Sequence, residues 1–376
     1  MPMRPITAVL RYTLLLMIWC GILSACRSGV STDATAEVAY ASLLRITRTD
    51  SFTRVDIRDP WHTGGLLQSY VLVSRSQPLP HGLPEATLLR TPLRRAVVAS
   101  SVHAALLYEL GCDTAVIGIC DTAYVIAPAL RADVRNGRLL AMGSAAAIDA
   151  ERLVAARPDA LLASPMAGAA WGATAAAGVP AIACADYMET SALGRAEWMK
   201  FYGLLFGCGQ RADSLFAATA EAYDSLRTAA IATKTRPRLL TDMKMGAVWY
   251  VPGGKSYLGS LYADAGASYV FADRSESGSV SLDAEAVLAQ GADAVVWLVK
   301  YGAATDLTYQ AMAEESAVYT RFAPWRQRRV YGCNTLRVPY YEEVPFHPDR
   351  LLRDVVSILH PTLLPAYRPH YFTPLQ

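Results

Sequence analysis

The hydrophobic residues of this chain fall into short unbroken runs separated by stretches of helical period. Ala96-Val97-Val98-Ala99, Ala115-Val116-Ile117-Gly118-Ile119, Ala160-Leu161-Leu162-Ala163 and Val179-Pro180-Ala181-Ile182-Ala183 are such runs. Between the first two, Ser100-Ser101 can cap a helix over His103 to Leu110 that stops at Gly111. Asp149-Ala150-Glu151-Arg152-Leu153-Val154 opens another helix, closed by Arg157-Pro158. Apolar strands alternating with amphipathic helices predict an α/β unit whose parallel sheet is buried on both faces.

Upstream, residues 37–75 read as a small β extension. Arg54-Val55-Asp56-Ile57 alternates polar and apolar, Gly64-Gly65 interrupts it, and Leu67 to Val73 is a second strand, which together predict a hairpin. Residues 76–92 carry four prolines and read as a link to the next unit. Residues 210–233 give the longest helical pattern, with Phe216, Ala220, Tyr223, Leu226 and Ala230 on one stripe. At 1.5 Å per residue such a helix spans ~36 Å, enough to link two lobes. The strand and helix alternation then restarts. Strands are expected at Arg238-Leu239-Leu240-Thr241, Ala294-Val295-Val296-Trp297-Leu298 and Arg329-Val330-Tyr331; helices are expected from Tyr257, Asp283 and Arg350. Each half carries a helix opening on Asp-Ala-Glu that leads to an apolar strand, a weak repeat of a whole lobe.

Length and composition agree with this division. At roughly 100–200 residues per domain, 376 residues suggest two domains. With 53% hydrophobic and 18% charged residues, the chain can bury a large core, and disorder, collagen and coiled coil are excluded. The net charge of +2 comes from Arg4 and Arg11; without them the 35 basic residues fall to 33, equal to the 33 acidic ones. A neutral body argues against nucleic acid as a partner, because phosphate binding needs excess Lys and Arg.

Arg4 and Arg11 belong to a leader. They precede a twelve-residue apolar stretch, Tyr12 to Leu23, within the usual ~7–15 of a signal peptide and short of a membrane span. Leu23-Ser24-Ala25-Cys26 resembles a bacterial lipobox, which implies lipidation at Cys26 and an extracytoplasmic, membrane-anchored protein. The small polar residues that follow read as a tether. Cys112, Cys120, Cys184, Cys208 and Cys333 are scattered, without a CxxC, and read as buried thiols.

Enzyme signatures are missing. Gly253-Gly254-Lys255-Ser256 looks like the tail of a phosphate-binding loop, but Trp249 stands where the motif needs its first glycine. There is neither GxSxG nor HExxH, and the six histidines are dispersed. Ser100, Ser101 and His103 lie together without an acid beside them, so helix capping is the simpler role. Loops at the carboxyl ends of parallel strands line the crevice of an open α/β sheet. Here they carry Tyr124, Tyr187, Met188, Trp249, Tyr250, Tyr301, Tyr340 and Tyr341. Two such rims facing one another would form an amphipathic cleft for a bulky ligand.

From Arg94 to His360 the chain resembles the iron-siderophore/cobalamin family of solute-binding proteins of bacterial ABC importers. RRAVVASSVHAALLYELGCDTAVIGICD, IDAERLVAARPDALLAS, GVPAIAC and SLDAEAVLAQGADAVVWL carry the resemblance. ETSALGRAEWMKFYGLLFG and VWYVPGGKSYLGSLYADAGASYV resemble lipoprotein members from Bacteroidetes-like bacteria. The resemblance implies two Rossmann-like α/β lobes joined by one long interdomain helix, behind a β-hairpin extension. It implies a leader at 1–25, tether and extension at 26–92, a first lobe at 93–209, a linking helix at 210–235 and a second lobe at 236–376. It implies no catalysis and no cofactor. The cargo would be a metal chelate (ferric siderophore, haem or cobalamin), and the partner a permease dimer with its ATPase, served by a monomer. Each lobe of the family presents a glutamate to the permease; Glu151 and Glu285 occupy the matching places, both in a first helical turn.

Ser101, His103, Tyr124, Tyr187, Met243, Trp249, Tyr301, Asn334, Arg337 and Tyr340 are the expected ligand contacts. His103 and Tyr187 suit the axial position of a haem, and Arg337 an anionic group of the cargo. His103 also fits a core or capping role. Two departures count against a corrinoid: Gly143-Ser144-Ala145-Ala146 replaces a tryptophan-bearing loop, and His103 replaces a small polar residue. The competing readings are a chelate-processing or hydrolytic enzyme using His103 and Glu189, and a surface scaffold without a small ligand.

Overall fold

A computed structural model describes residues 38–167 and 177–376. The expected leader, Cys26 and the tether lie outside them.

The extension is a four-stranded sheet, larger than the hairpin expected. β1 (Leu44–Arg48), β2 (Thr53–Arg58) and β3 (Leu66–Ser74) pair antiparallel, and β4 (Thr87–Thr91) adds parallel to β3. β4 lies inside the segment read as a linker. Pro84 and Pro92 flank it, so its own N–H groups remain free to pair. Ile46, Val55, Ile57, Leu72 and Leu89 enter one core with Ala96, Val98 and Leu162, so the extension is packed on the lobe that follows.

That first lobe is a parallel sheet in the order β7 (Leu140–Ala141), β6 (Val116–Ile119), β5 (Ala96–Val98), β8 (Ala160–Ala163), β9 (Ala181–Ala183). Helix α1 (Ser101–Glu109) begins where the Ser100 hydroxyl accepts the Val102 N–H and ends before Gly111, at φ +71°. α2 (Pro128–Arg135) and α3 (Ala150–Ala156) follow, the latter capped by Asp149. Strand β9 would expose an open edge. Tyr70 closes it, its hydroxyl donating to the Ala181 carbonyl (3.2 Å) and accepting the Ala183 N–H (2.8 Å).

After β9 come α4 (Ala192–Glu197), α5 (Met199–Phe206) and the linking helix α6 (Gly209–Ile231). Two buried glutamates of this region hold the start of the extension. Glu197 accepts the N–H groups of Ala39, Tyr40 and Ala41 (2.9, 2.6 and 2.9 Å) and pairs with Lys200. Glu189 accepts the N–H groups of Ser42 and Leu43, the Ser42 hydroxyl and the Trp198 indole. Glu189, the acid named for an enzyme, therefore serves as a backbone clamp.

The second lobe has the order β13 (Ser268–Tyr269), β10 (Arg238–Thr241), β15 (Val296–Tyr301), β16 (Val330–Asn334), β17 (Thr373–Pro374), parallel except for β17. A small antiparallel sheet of β11 (Lys244–Met245), β12 (Val248–Pro252) and β14 (Ser279–Leu282) stands beside it. α7 (Tyr257–Asp264), α8 (Ala284–Gly291), α9 (Tyr340–Glu343) and α10 (Pro348–Leu359) belong to the lobe, with two further helices over Tyr309–Glu315 and Ala323–Arg326, and α10 packs along α6.

Contacts beyond α6 also cross between the lobes. Phe346 enters the first lobe's core, its ring 5.9 Å from Tyr202. Glu342 accepts the N–H groups of Ile126 and Ala127 (3.0 and 2.5 Å) at the start of α2, supplying a cap from across the junction. His347 meets Glu109 at 2.6 Å.

Removing Glu197 would leave several backbone donors buried and unpaired, each costing about 1–3 kcal/mol. Glu197→Ala is expected to lose about 2–4 kcal/mol of stability, and Glu197→Gln less. Urea unfolding measures the loss, and limited proteolysis should cut the variant near residues 39–43 first.

Candidate ligand-binding cleft

A cavity of about 560 Å3 lies between the lobes, within the usual range for small-molecule sites. Tyr187, Met188 and Arg195 line it from the first-lobe side. Asp242, Met243, Met245, Tyr250, Tyr257, Lys300 and Tyr341 line it from the second, with Ser277, Gly278 and Ser279 at one margin. The small sheet supplies part of this wall. β12 brings Tyr250, and the segment before β14 brings Ser277 and Gly278.

The Gly253-Gly254 pair now has a packing role. A Cβ on Gly253 would stand 2.1 Å from the Glu276 carbonyl oxygen, and one on Gly254 2.2 Å from that of Ala272. Only glycine lets the 272–278 segment lie this close. Lys255 points to solvent, and Ser256 caps α7 by accepting the Gly259 N–H.

Two nearly buried cations set the electrostatics. Arg195 extends from α4, which straddles the junction: Ala192 and Leu193 pack in the second lobe's core and Ala196 in the first. Its Nε donates to Asp186 (3.1 Å), and its guanidinium lies 4.7 Å from the Tyr257 ring centre. Its side chain makes no other hydrogen bond among the described residues. Lys300, at the end of β15, meets Asp242 at 2.5 Å. Burial works against the charge on Lys300, but Asp242 overrides it and holds the ammonium above the ordinary lysine range.

Asp186 is the hub behind Arg195. It accepts from His103 Nε2 (2.7 Å), the Tyr202 hydroxyl (2.9 Å) and Arg195. Burial alone would raise this carboxyl, yet His103, Arg195 and Tyr202 bring it down to about 2. Burial likewise disfavours a charged His103 ring, but the Cys184 sulfur and Asp186 beside it favour one, and the imidazole is pushed up to about 10. His103 and Arg195 thus share the single carboxylate of Asp186.

Of the ten expected ligand contacts, the cavity brings together Tyr187 and Met243. Met188, Tyr250 and Tyr341, noted as loop aromatics or apolar residues, line it as well. The others stand elsewhere. His103 is buried behind the wall on Asp186, which removes it as an axial ligand. Ser101 starts α1 and bonds Glu342. Tyr124 is 70% exposed on a loop. Trp249 is in the second lobe's core, stacked on Trp297 at 5.7 Å. Tyr301 packs against that same core. Tyr340 is buried among Tyr341, Tyr371 and Phe372. Asn334 holds the loop after β15 through both the N–H and the carbonyl of Ala303. Arg337 pairs with Asp306 and the Ala304 carbonyl on the surface.

Arg195 and Asp242 are cleft residues that the sequence reading missed, and Lys300 stands in an expected crevice loop beside Tyr301, the residue chosen there. Among the described residues no group of three or more His, Cys, Asp or Glu is arranged to hold a metal ion. Arg195 and Lys300 can meet anionic oxygens, while four tyrosine rings and three methionines pack its apolar surface. Glu151 and Glu285 are both exposed in the first turns of α3 and α8.

Comparisons with known proteins agree with this architecture. Residues 97–335 match the family model described as periplasmic binding protein. An uncharacterised lipoprotein of Methanocaldococcus jannaschii is 23% identical over 321 residues, covering 81% of this chain and 75% of that one. The periplasmic haem-binding protein HutB of Vibrio cholerae superposes with a TM-score of 0.55 at 15% identity, covering 71% of this chain and 99% of its own. An ABC-type Fe3+-hydroxamate transport structure from Saccharomonospora viridis gives 0.55 at 18% identity, covering 72% and 94%. At these identities the structural likeness establishes the bilobal fold.

The His103–Asp186 pair carries a pH signature. A histidine raised by folding stabilises fully below its unfolded value of about 6.5, and that contribution fades as pH rises toward 10. His103→Gln is therefore expected to lose more stability at pH 6 than at pH 9, a difference that denaturant titrations at the two pH values measure.

Proposed function

Because the chain belongs to the periplasmic binding protein family, we propose that it captures an anionic, oxygen-rich ferric chelate between its lobes and hands it to an ABC permease. It binds its cargo and does not transform it. The observation that carries this reading is the pair of buried cations, Arg195 from one side and Lys300 from the other, in one aromatic cavity. A ferric siderophore offers the oxygen shell such cations bind. The haem-binding and Fe3+-hydroxamate neighbours support an iron complex as cargo. Haem is the second reading, favoured by the four cavity tyrosines, since phenolate is an iron ligand and no histidine lines the wall. A corrinoid is the third.

Leu23-Ser24-Ala25-Cys26 supports a lipid anchor at Cys26 facing the periplasm, as does the lipoprotein description of the archaeal relative. Glu151 and Glu285 are the permease contacts in this reading. Both are exposed, each follows an aspartate cap, and each belongs to a different lobe.

The test is titration of the full chain in detergent with an anionic ferric tris-catecholate, haemin and cyanocobalamin, following tryptophan fluorescence and the ligand spectrum. Quenching by the ferric catecholate is expected. A charge-assisted bond contributes about 1.5–3 kcal/mol, so Lys300→Met and Arg195→Met should each weaken binding by about 10–100-fold, with thermal melts checking the fold. A Soret shift lost in Tyr187→Phe, Tyr250→Phe or Tyr341→Phe would select haem, and binding of the corrinoid alone would overturn the iron assignment.

Charge reversal separates docking from capture. Glu151→Arg and Glu285→Arg are expected to abolish uptake in cells while leaving the affinity of the purified protein within about twofold, because both lie on the surface outside the cavity. An equal loss of affinity would remove the docking role.

A further inference from the structure

Two cysteine sulfurs meet at the start of the linking helix. Cys112 follows α1 in the turn that Gly111 permits, and Cys208 is the residue immediately before α6. Although 96 positions apart in sequence, their Sγ atoms lie 2.8 Å from one another. Non-bonded heavy atoms sit best at roughly 3.5–4.0 Å, whereas bonded sulfurs lie ~2.0 Å apart. As separate thiols the two are closer than packing favours. Cys120, Cys184 and Cys333, the other cysteines of the described residues, are buried, and none has a sulfur partner there. Cys208 is only partly buried. It accepts the Cys112 thiol hydrogen, and with help from Arg211 this holds Cys208 below the ordinary thiol range.

We propose that Cys112 and Cys208 form a structural disulfide when the chain reaches the extracytoplasmic compartment. This rests on the placement argued above, since thiols persist in the cytosol and disulfides outside it. The oxidant is a disulfide of the thiol-oxidoreductase class. The Cys208 thiolate attacks one donor sulfur, breaking the donor's S–S bond and releasing its other sulfur as a thiolate. Cys112 then gives its proton to water and attacks the Cys208 sulfur of the mixed disulfide, expelling the second donor thiolate. Two protein thiols are oxidised, and the donor disulfide is reduced to two thiols.

The cross-link joins the C-terminal end of α1 to the start of α6. The loop it closes contains β6 to β9, α4 and α5, so most of the first lobe is enclosed. It also ties the helix that carries His103, and hence the hub behind Arg195, to the element that joins the lobes.

The test uses the full chain produced in cells that export it. Free thiols are blocked with N-ethylmaleimide before lysis, and the isolated protein is digested without reductant for mass spectrometry. A linked Cys112–Cys208 peptide pair is expected, with both residues free of maleimide until reduction. Reduction should lower the melting temperature of the wild type by about 5 °C and leave that of the Cys112→Ser/Cys208→Ser double variant unchanged. If both cysteines carry maleimide, and the purified unblocked protein also stays unlinked in oxidised glutathione, the proposal is overturned. If they are blocked in cells but link in oxidised glutathione, the pairing stands and the extracytoplasmic placement falls.

Discussion

The cleft depends on one buried carboxylate. Asp186 lies three residues past the end of β9, is almost fully shielded from water, and accepts from His103, Tyr202 and Arg195 at once. A carboxylate so placed is costly unless its oxygens are satisfied, and here three donors satisfy them. What positions Asp186 lies further back. Tyr70 of the extension closes the open edge of β9, and Glu189 and Glu197 hold residues 39–43 against α4 and the turn before it. The extension is thus the first link of a chain that runs through β9 and Asp186 to the guanidinium at the cleft wall. This accounts for its core being continuous with that of the first lobe.

The lobes are joined by more than their helix. A single helix of 23 residues would leave one line of contact. Phe346 in the first lobe's core, Glu342 on the start of α2, Ser260 donating to the Thr190 carbonyl, and Arg195 over Tyr257 add crossings on several sides of the junction. Each would have to break for the lobes to part widely, and Glu342 would leave two backbone donors without their acceptor. The cleft is therefore largely pre-formed, and ligand capture falls to side chains at its mouth, among them the exposed Tyr250, Tyr341 and Met245.

The sequence disclosed the sheets more readily than the cleft, for a geometric reason. Continuous apolar runs such as Ala160–Ala163 mark strands buried on both faces, and the structure has strands there. The Asp149 and Asp283 caps and the 210–233 stripe were equally legible. The cleft loops were found too, but often with the wrong neighbour in each. Trp249, Tyr301 and Tyr340 were expected at the ligand; Tyr250, Lys300 and Tyr341 line the cavity. Successive residues face opposite sides of a strand, as Trp249 and Tyr250 do on β12 and Lys300 and Tyr301 on β15, and are turned by about 100° on a helix, as Tyr340 and Tyr341 are on α9, so a segment placed correctly with its facing unknown gives the adjacent residue. Arg195 was hidden differently. It lies in a short helix after the strand, and nothing in its spacing shows that Asp186, nine residues earlier, will be buried beside it. The fourth strand of the extension was masked by its flanking prolines, which read as a linker until pairing with β3 is seen.

The two cations are not equivalent, and the difference bears on selectivity. Lys300 is closed on Asp242 inside the cavity, so an incoming anion must compete with a carboxylate already in place. Arg195 shares its carboxylate with His103, which leaves its charge only partly answered and its terminal nitrogens without a hydrogen bond among the described residues. A neutral ligand filling this cavity would strip water from Arg195 and give nothing back, and burying an unpaired charge is strongly unfavourable. An anionic ligand restores the pairing. If the cargo is the proposed anionic chelate, the hub would discriminate by penalising the wrong cargo as well as by attracting the right one. It would do so from behind the wall, through His103, which does not line the cavity: with Asp186 answered by the imidazole, the positive charge at the surface of the cleft belongs to Arg195.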